Sequence, residues 1–584
     1  MTRIGRGHLN ARDVNLRREV RELTRRSQRS RDYGNPYISI SDDLLRAEDL
    51  DRAAAKSQGI HRRMGQGPDP IVDKRHYILK SATHGYTAVV KDNIVTAELP
   101  TTCASRILEG LQPVSQPSTI TDRLNRAGVR VLAKTNMDEF GMGSHSMNSA
   151  YGAVTNGRGF KALSVGGSSG GSALAVAAKL AHVGIGTDTG GSIRLPAAYM
   201  SVLGFKPSYG MISRKGVIPY ANSLDTVGII ARSAEDIRLT FDILRTPDEN
   251  DPTCLTSSSW TRVQEAKNRR RVAVLGSQYV VVGTDQVKEA ETGPHRHSDW
   301  KNLRSQLVAQ REFTRRIGVP LEYNIAEMHP LVRWAWTATL SYLESVGCEI
   351  VPISLPSTRH ALSSYYVLAP AEASSNLAKY DGVRYGAVRQ SPSDDVGGTL
   401  YSKHRSDNLG PEVKRRILLG TYSLSAGAMD NYFIQAQKIR RMVQQDFDDV
   451  FRMPNPLKQD TEVKIHGVDF IIVPTAPSPP PRLRYLQRST PVENYMNDVF
   501  TVPASLAGLP SMSVPAPRHP DHPWRPEVAV GMQIIGQYGD DYSVMYLAQN
   551  FMTNFHPLTN MKRVQSHKIL KQSTNTSYMS DSLD

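Results

Sequence analysis

The sequence predicts an α/β fold, a sheet with helices on both faces. Three observations predict it. From about Tyr86 to Leu244, short β-branched runs alternate with alanine- and leucine-rich helical periods. Glycine-rich turns, notably Gly166–Ser172 and Asp188–Ser192, stand between the two kinds of segment. No apolar run approaches the roughly 20 residues that span a bilayer, so no membrane class is indicated.

Taken in order, the 584 residues begin with their strongest charge asymmetry. The chain carries +15 overall, and residues 1–31 hold ten arginines, no lysine and only Asp13, Glu19 and Glu22 as acids. An Arg-rich, acid-poor start has the character of a mitochondrial import segment; a solvated arm is the plainer alternative. Residues 1–39 are read as this arm and 40–555 as one domain. Ser41-Asp42-Asp43 would cap a helical lead-in within 40–80. Strands follow at Ala88-Val89-Val90 and Val129–Leu132, then a helix over Ser172–Lys179 and a strand over Val183–Thr187. Residues 255–312 break the rhythm, with Arg269-Arg270-Arg271 and no clear period, and are expected to be a loop insertion. Order resumes at Ile317-Gly318-Val319-Pro320, followed by helices near 330–346 and 430–447 and a strand over Phe470–Val473. Residues 556–584 read as a loose tail.

Composition narrows the function classes. Cys103, Cys254 and Cys348 form no CxxC or Cys/His pairing, so neither a disulfide framework nor a structural metal is expected. No GxxxxGK[ST] loop is present, which places any ATP use outside this chain. The basic charge raises nucleic acid as a partner, but no recognised RNA-reading motif accompanies it.

The chemistry concentrates in two serine-bearing glycine loops and one lysine. Ser192 stands at a strand-to-helix junction, where the backbone N–H groups of Thr189, Gly190, Gly191 and Ser192 could converge on an oxyanion. An anion-binding turn without catalysis is the alternative. Ser168 and Ser169 precede a helix that either could cap. Gly167–Gly171 also fits G-x-S-x-G, which would make Ser169 a nucleophile needing a histidine such as His329, His360 or His404. Lys91 ends an apolar strand. Burial would lower its pKa, and a neutral Lys91 could accept a proton from Ser168, itself relaying one from Ser192.

These residues resemble the amidase signature family, whose fingerprint is the Gly166–Ser172 stretch followed by Asp188-Thr189-Gly190-Gly191-Ser192-Ile193-Arg194. The resemblance implies a single large mixed sheet flanked by helices. It also implies Ser192 as nucleophile, Ser168 as a bridging serine on a cis peptide, and Lys91 as base. The runs Lys91-Asp92-Asn93-Ile94, Lys134–Phe140, Ala371–Leu377, Gly382–Gly386 and Phe500–Ala504 are similar to the glutaminase branch that serves glutamyl-tRNA(Gln) amidotransferases. That branch implies glutamine as substrate, with Arg384 on its α-carboxylate and Asp430 on its α-amino group. An ordinary ion pair and a helix N-cap are the alternatives for these two. It further implies a mitochondrial matrix location, B- and C-type partner subunits, Glu-tRNA(Gln) bound through the complex, and ATP and Mg²⁺ used in a partner. A stand-alone amidase and a non-catalytic RNA-binding scaffold are the rival readings.

Overall fold

The computed structural model describes residues 37–40, 85–275 and 315–554, apart from short gaps at 112–113, 158–161, 382–384, 387–401, 459–461 and 520–527. The lead-in over 41–80 and the tail over 556–584 lie outside the described residues.

Among the described residues thirteen strands follow the chain: β1 Tyr37–Ile40, β2 Thr87–Lys91, β3 Arg130–Thr135, β4 Thr155–Asn156, β5 Leu163–Ser164, β6 Val183–Asp188, β7 Leu203–Lys206, β8 Thr226–Ala231, β9 Arg316–Pro320, β10 Glu349–Ile353, β11 Phe470–Pro474, β12 Ser511–Pro515 and β13 Gly531–Ile535. Eleven make one sheet in the order β1-β3-β2-β6-β8-β7-β12-β13-β11-β9-β10, while β4 and β5 form a separate hairpin. Pairing is parallel from β3 through β2 to β6 and from β11 through β9 to β10, and antiparallel elsewhere. The expected large mixed sheet is therefore present.

The central strands are buried on both faces, as their near-continuous apolar sequences require. Helices cover them. Thr119–Arg126 starts on Ser118, whose side chain accepts the Thr121 N–H, and Ala234–Leu244 starts on Ser233 in the same way. Trp336, on Pro330–Ser345, fills the core under β11 and donates its indole N–H to the Ile472 carbonyl at 3.0 Å.

Two expectations change. β1 crosses the boundary drawn at residue 39, pairing antiparallel with β3 at the sheet edge. The segment expected to be a loop insertion opens with a helix, Ser257–Leu275, anchored where Val263 is buried and Arg245 lies over the Trp260 ring at 5.4 Å. Its arginine run gives it no apolar stripe, so no helical period is visible in the sequence.

Candidate active site

Among the described residues, the cationic side chains of Lys91, Lys134, Arg194 and Lys206 are fully buried; Lys91 and Lys206 end β2 and β7, and Arg194 opens the helix Arg194–Tyr199 that follows β6. A buried cation survives only with partners, and tracing the partners outlines the site.

Lys91 Nζ lies 2.6 Å from Ser168 Oγ and also donates to Thr187 O and Oγ1 at 3.2 and 3.0 Å. Burial lowers its pKa to about 8, against the raising influence of Asp138, Asp225 and Asp188. The Gly167–Ser168 peptide is cis. Asp138 supports this turn from behind. Its N–H donates to the Ser168 carbonyl at 3.3 Å, and its carboxylate accepts the N–H groups of Ser146, Met147 and Asn148 at 2.8–3.0 Å. Burial raises the Asp138 pKa to about 6 despite those donors.

Ser169 occupies the N-cap position of helix Gly170–Ala177 but makes no capping bond; its hydroxyl donates to the Thr187 carbonyl at 3.3 Å. Its N–H donates to the Ser192 carbonyl at 3.2 Å, which brings the two serine loops together. Neither capping nor an elbow nucleophile describes it, for Ser169 is fully buried. Ser192, at 9% exposed, is the accessible member of the set, against 0% for Lys91 and 1% for Ser168.

The loop Thr189–Ser192 is held from outside so that its donors stay unspent. Asp188 accepts the Ile193 N–H at 3.1 Å and is bridged by Arg194 at 2.7 and 2.9 Å. Thr189 donates its hydroxyl to Asp225 at 2.6 Å, and Thr501 donates to the Gly190 carbonyl at 2.6 Å. Among the described residues, no protein acceptor takes the N–H of Thr189, Gly190, Gly191 or Ser192. Glycine is required twice here: a Cβ on Gly190 would stand 2.6 Å from the Tyr365 ring, and Gly191 adopts φ +153°.

Following contacts outward from both serines leads to one residue. Ser168 Oγ and the Tyr220 ring both flank Gly141. Tyr220 Oη accepts from Arg416 Nη1 at 2.6 Å. From the other side, Asp498 Oδ1 lies 3.4 Å from where a Gly191 Cβ would be, and its Oδ2 accepts from Tyr366 Oη at 3.1 Å and Ser144 Oγ at 2.6 Å. Arg416 sits over the rings of Tyr366, Tyr495 and Tyr220 at 5.2, 5.3 and 5.7 Å and pairs with Glu412 at 2.8 Å. Its Nη2 takes no protein acceptor among the described residues. Burial lifts the Asp498 pKa to about 6, with Ser144, Tyr366 and Arg416 working against it. The serine–lysine set, the unspent N–H groups, the Arg416 guanidinium and the Asp498 carboxylate are thus linked in one neighbourhood through Gly141, Tyr220 and Gly191.

Residues 72–293 and 280–545 match the amidase family. The chain belongs to the amidase family. It is 51% identical to the A-type subunit of the mitochondrial glutamyl-tRNA(Gln) amidotransferase of Fusarium vanettenii, over 81% of this chain and 87% of that one. Its identity to the Coccidioides posadasii protein of the same name is 47%, over 80% and 88%. The solved A-type subunit of the Thermotoga maritima glutamyl-tRNA(Gln) amidotransferase aligns with TM-score 0.61 at 27% identity, covering 93% of this chain and 92% of that one. This amidase sheet is shared with more distant structures, including Kluyveromyces lactis allophanate hydrolase at TM-score 0.63 and 21% identity.

Of the residues expected at the amidase site, Lys91, Ser168, Thr189, Gly190, Gly191 and Ser192 fall into this one region. Arg384 lies outside the described residues. Asp430 is exposed in the first turn of the π-helical segment Asp430–Ile434, which runs into the helix Gln435–Val450, while the N-cap position there is held by Met429. Sequence reasoning passed over Asp138, Arg416 and Asp498. Arg416 hides in Lys414-Arg415-Arg416, which reads as a solvated run, although Glu412, Arg416 and Gly420 share one helix face.

Proposed function

We propose that this chain is the A-type, glutamine-hydrolysing component of a mitochondrial glutamyl-tRNA(Gln) amidotransferase, supplying it with ammonia. The observation that carries it is Lys91 Nζ at 2.6 Å from Ser168 Oγ, beside a loop whose backbone donors are unspent. Ser192 Oγ attacks the side-chain amide carbon while its proton passes through Ser168 to Lys91. The N–H groups of Thr189–Ser192 hold the oxyanion, each well-placed donor contributing about 3–4 kcal/mol. Collapse breaks the C–N bond, the proton returns through Ser168 to the leaving nitrogen, and ammonia departs. Water, deprotonated by the same relay, then releases glutamate from Ser192.

Arg416 takes the glutamine α-carboxylate through its uncommitted Nη2, and Asp498 takes the α-ammonium, the parts first expected of Arg384 and Asp430. A guanidinium and a carboxylate suit those groups in charge and shape. The relatives' names support a multisubunit assembly. In it the B- and C-type subunits and Glu-tRNA(Gln) are the partners, and ATP with Mg²⁺ acts in one of those subunits.

The test is ammonia release from glutamine by the chain alone and with its partner subunits, Glu-tRNA and ATP. Stimulation by all three supports the reading. Full activity alone on simple amides, with none on glutamine, replaces it with a free-standing amidase. Arg416→Lys is expected to raise KM for glutamine by about 10- to 100-fold, the worth of a charge-assisted pair. Hydrolysis of an amide lacking an α-carboxylate should be unchanged by it.

The pH profile follows from Lys91. The base works only when neutral, and its pKa is about 8. The kcat/KM for glutamine is therefore expected to fall about tenfold per unit as pH drops below 8 and to level off above it. A profile flat between 6.5 and 8.5 would remove Lys91 from the base role.

A further inference from the structure

His145 is buried beside the site, and no step above uses it. Its two chain neighbours face different parts of that site. Ser144 donates its hydroxyl to Asp498 Oδ2 at 2.6 Å, while Ser146 donates its hydroxyl to the Gly166 carbonyl at 2.9 Å and its N–H to Asp138 at 2.8 Å. The segment Ser144–Ser146 thus lies between Asp498 and the glycine loop that carries Ser168. The approach is close: a Cβ on Gly167 would stand 2.6 Å from the backbone nitrogen of His145.

Both ring nitrogens have partners, and the partners settle which one carries the proton. Nε2 lies 3.2 Å from Asn497 Nδ2, and Nδ1 lies 2.9 Å from Ser164 Oγ. The Asn497 amide has one orientation. Its Nδ2 also faces the Asn494 carbonyl at 3.3 Å, a group that can only accept, and its Oδ1 takes the Tyr199 hydroxyl at 3.1 Å. Nδ2 therefore donates to Nε2, and the ring proton, assigned from this network, sits on Nδ1 and is donated to Ser164. Ser164 Oγ accepts the Gly166 N–H as well, at 3.0 Å. A chain of hydrogen bonds thus joins Tyr199, Asn497, His145, Ser164 and Gly166. Burial lowers the His145 pKa to about 3, so the ring is neutral at ordinary pH and Nε2 remains an acceptor.

We infer that His145 is a positioning residue for glutamine selection: by holding Asn497 it fixes the adjacent Asp498 where the substrate's α-ammonium meets it. This rests on the part proposed above for Asp498. Substitution separates the two ends of the ring. Asparagine keeps a donor near the Nδ1 position and loses the acceptor, whereas glutamine keeps an acceptor near the Nε2 position and loses the donor.

The test uses the full chain assembled with its partner subunits, and compares glutamine with glutaramate, which is glutamine without its α-amino group. His145→Asn is expected to raise KM for glutamine about tenfold, with kcat within about threefold of wild type and both constants for glutaramate unchanged. Asn497→Ala removes the same bond from its other end and should copy that result, so it carries the test if His145→Asn does not fold. The double variant should be no worse than either single one. His145→Gln should bring KM for glutamine back to within about threefold of wild type. An equal loss on both substrates overturns the inference, and so does a glutamine KM that neither His145→Asn nor Asn497→Ala raises. His145→Gln as impaired as His145→Asn also overturns it. A wild type that hydrolyses glutaramate as well as glutamine instead overturns the placing of the α-ammonium at Asp498.

Discussion

Ser192→Ala is expected to lower glutamine hydrolysis by about 10⁴-fold or more, with folding and glutamine affinity retained. The side chain is small and sits at the mouth of the buried relay, whereas its backbone carbonyl holds the Ser169 N–H at 3.2 Å. Alanine keeps that carbonyl and removes only the hydroxyl. Lys91→Met should cost as much in rate, because a nucleophile without its base is no better than one removed; the double variant should then be no slower than either single one. The two differ in stability. Lys91 gives up three hydrogen bonds, leaving Ser168 Oγ and Thr187 with fewer partners, so its melting temperature should fall while that of Ser192→Ala stays. Burst release of one ammonia per chain in wild type, absent in Ser192→Ala, would report the covalent intermediate. Rates of Ser192→Ala within tenfold of wild type would exclude Ser192 as the nucleophile.

The parts of this site that sequence alone made legible are those written locally. Ser168, Ser192 and the glycines between them lie within 24 residues, and the tightest of those glycines are demanded by a backbone approach that any larger side chain would block. Lys91 was legible because it ends an apolar strand, and a charge there must point into something polar. Arg416 and Asp498 were not, because what buries them comes from far away in the chain: Tyr220, Tyr366 and Tyr495 for the one, Ser144 and Tyr366 for the other. A charged residue followed by Ile417 and Leu418 looks like the solvated side of an amphipathic helix, and only tertiary packing turns it inward. The sheet was legible from its β-branched runs. Strand β1 was not, since the charge contrast around residue 39 outweighed the alternation in Tyr37-Ile38-Ser39-Ile40.

The largest effect on stability is expected at Asp188 and Arg194, and it should be asymmetric. Both side chains are fully buried, and Arg194 also donates to Thr501 O at 2.8 Å and Ser505 Oγ at 2.7 Å, joining the Ser192 loop to the segment that carries Asp498. Burial alone would raise the Asp188 pKa, yet Arg194 outweighs it and holds the carboxyl below its ordinary value. Removing one partner of such a pair strands the other charge, at about 3–5 kcal/mol. Lys206 breaks the symmetry. Its pKa is lowered to about 7, by burial first and then by the Arg194 charge, while Asp188 pulls it upward. In Arg194→Met, Lys206 loses that repulsion, takes up a proton and partly neutralises Asp188. In Asp188→Asn the carboxylate is gone and Arg194 has no such substitute. Denaturant unfolding should therefore place Asp188→Asn at the upper end of the range and Arg194→Met at the lower. The gap should widen below pH 7, where Lys206 is more fully charged, and close as the pH rises above the lysine's shifted value. Equal losses at every pH would mean that Lys206 does not compensate and that the pair alone sets the stability of the nucleophile loop.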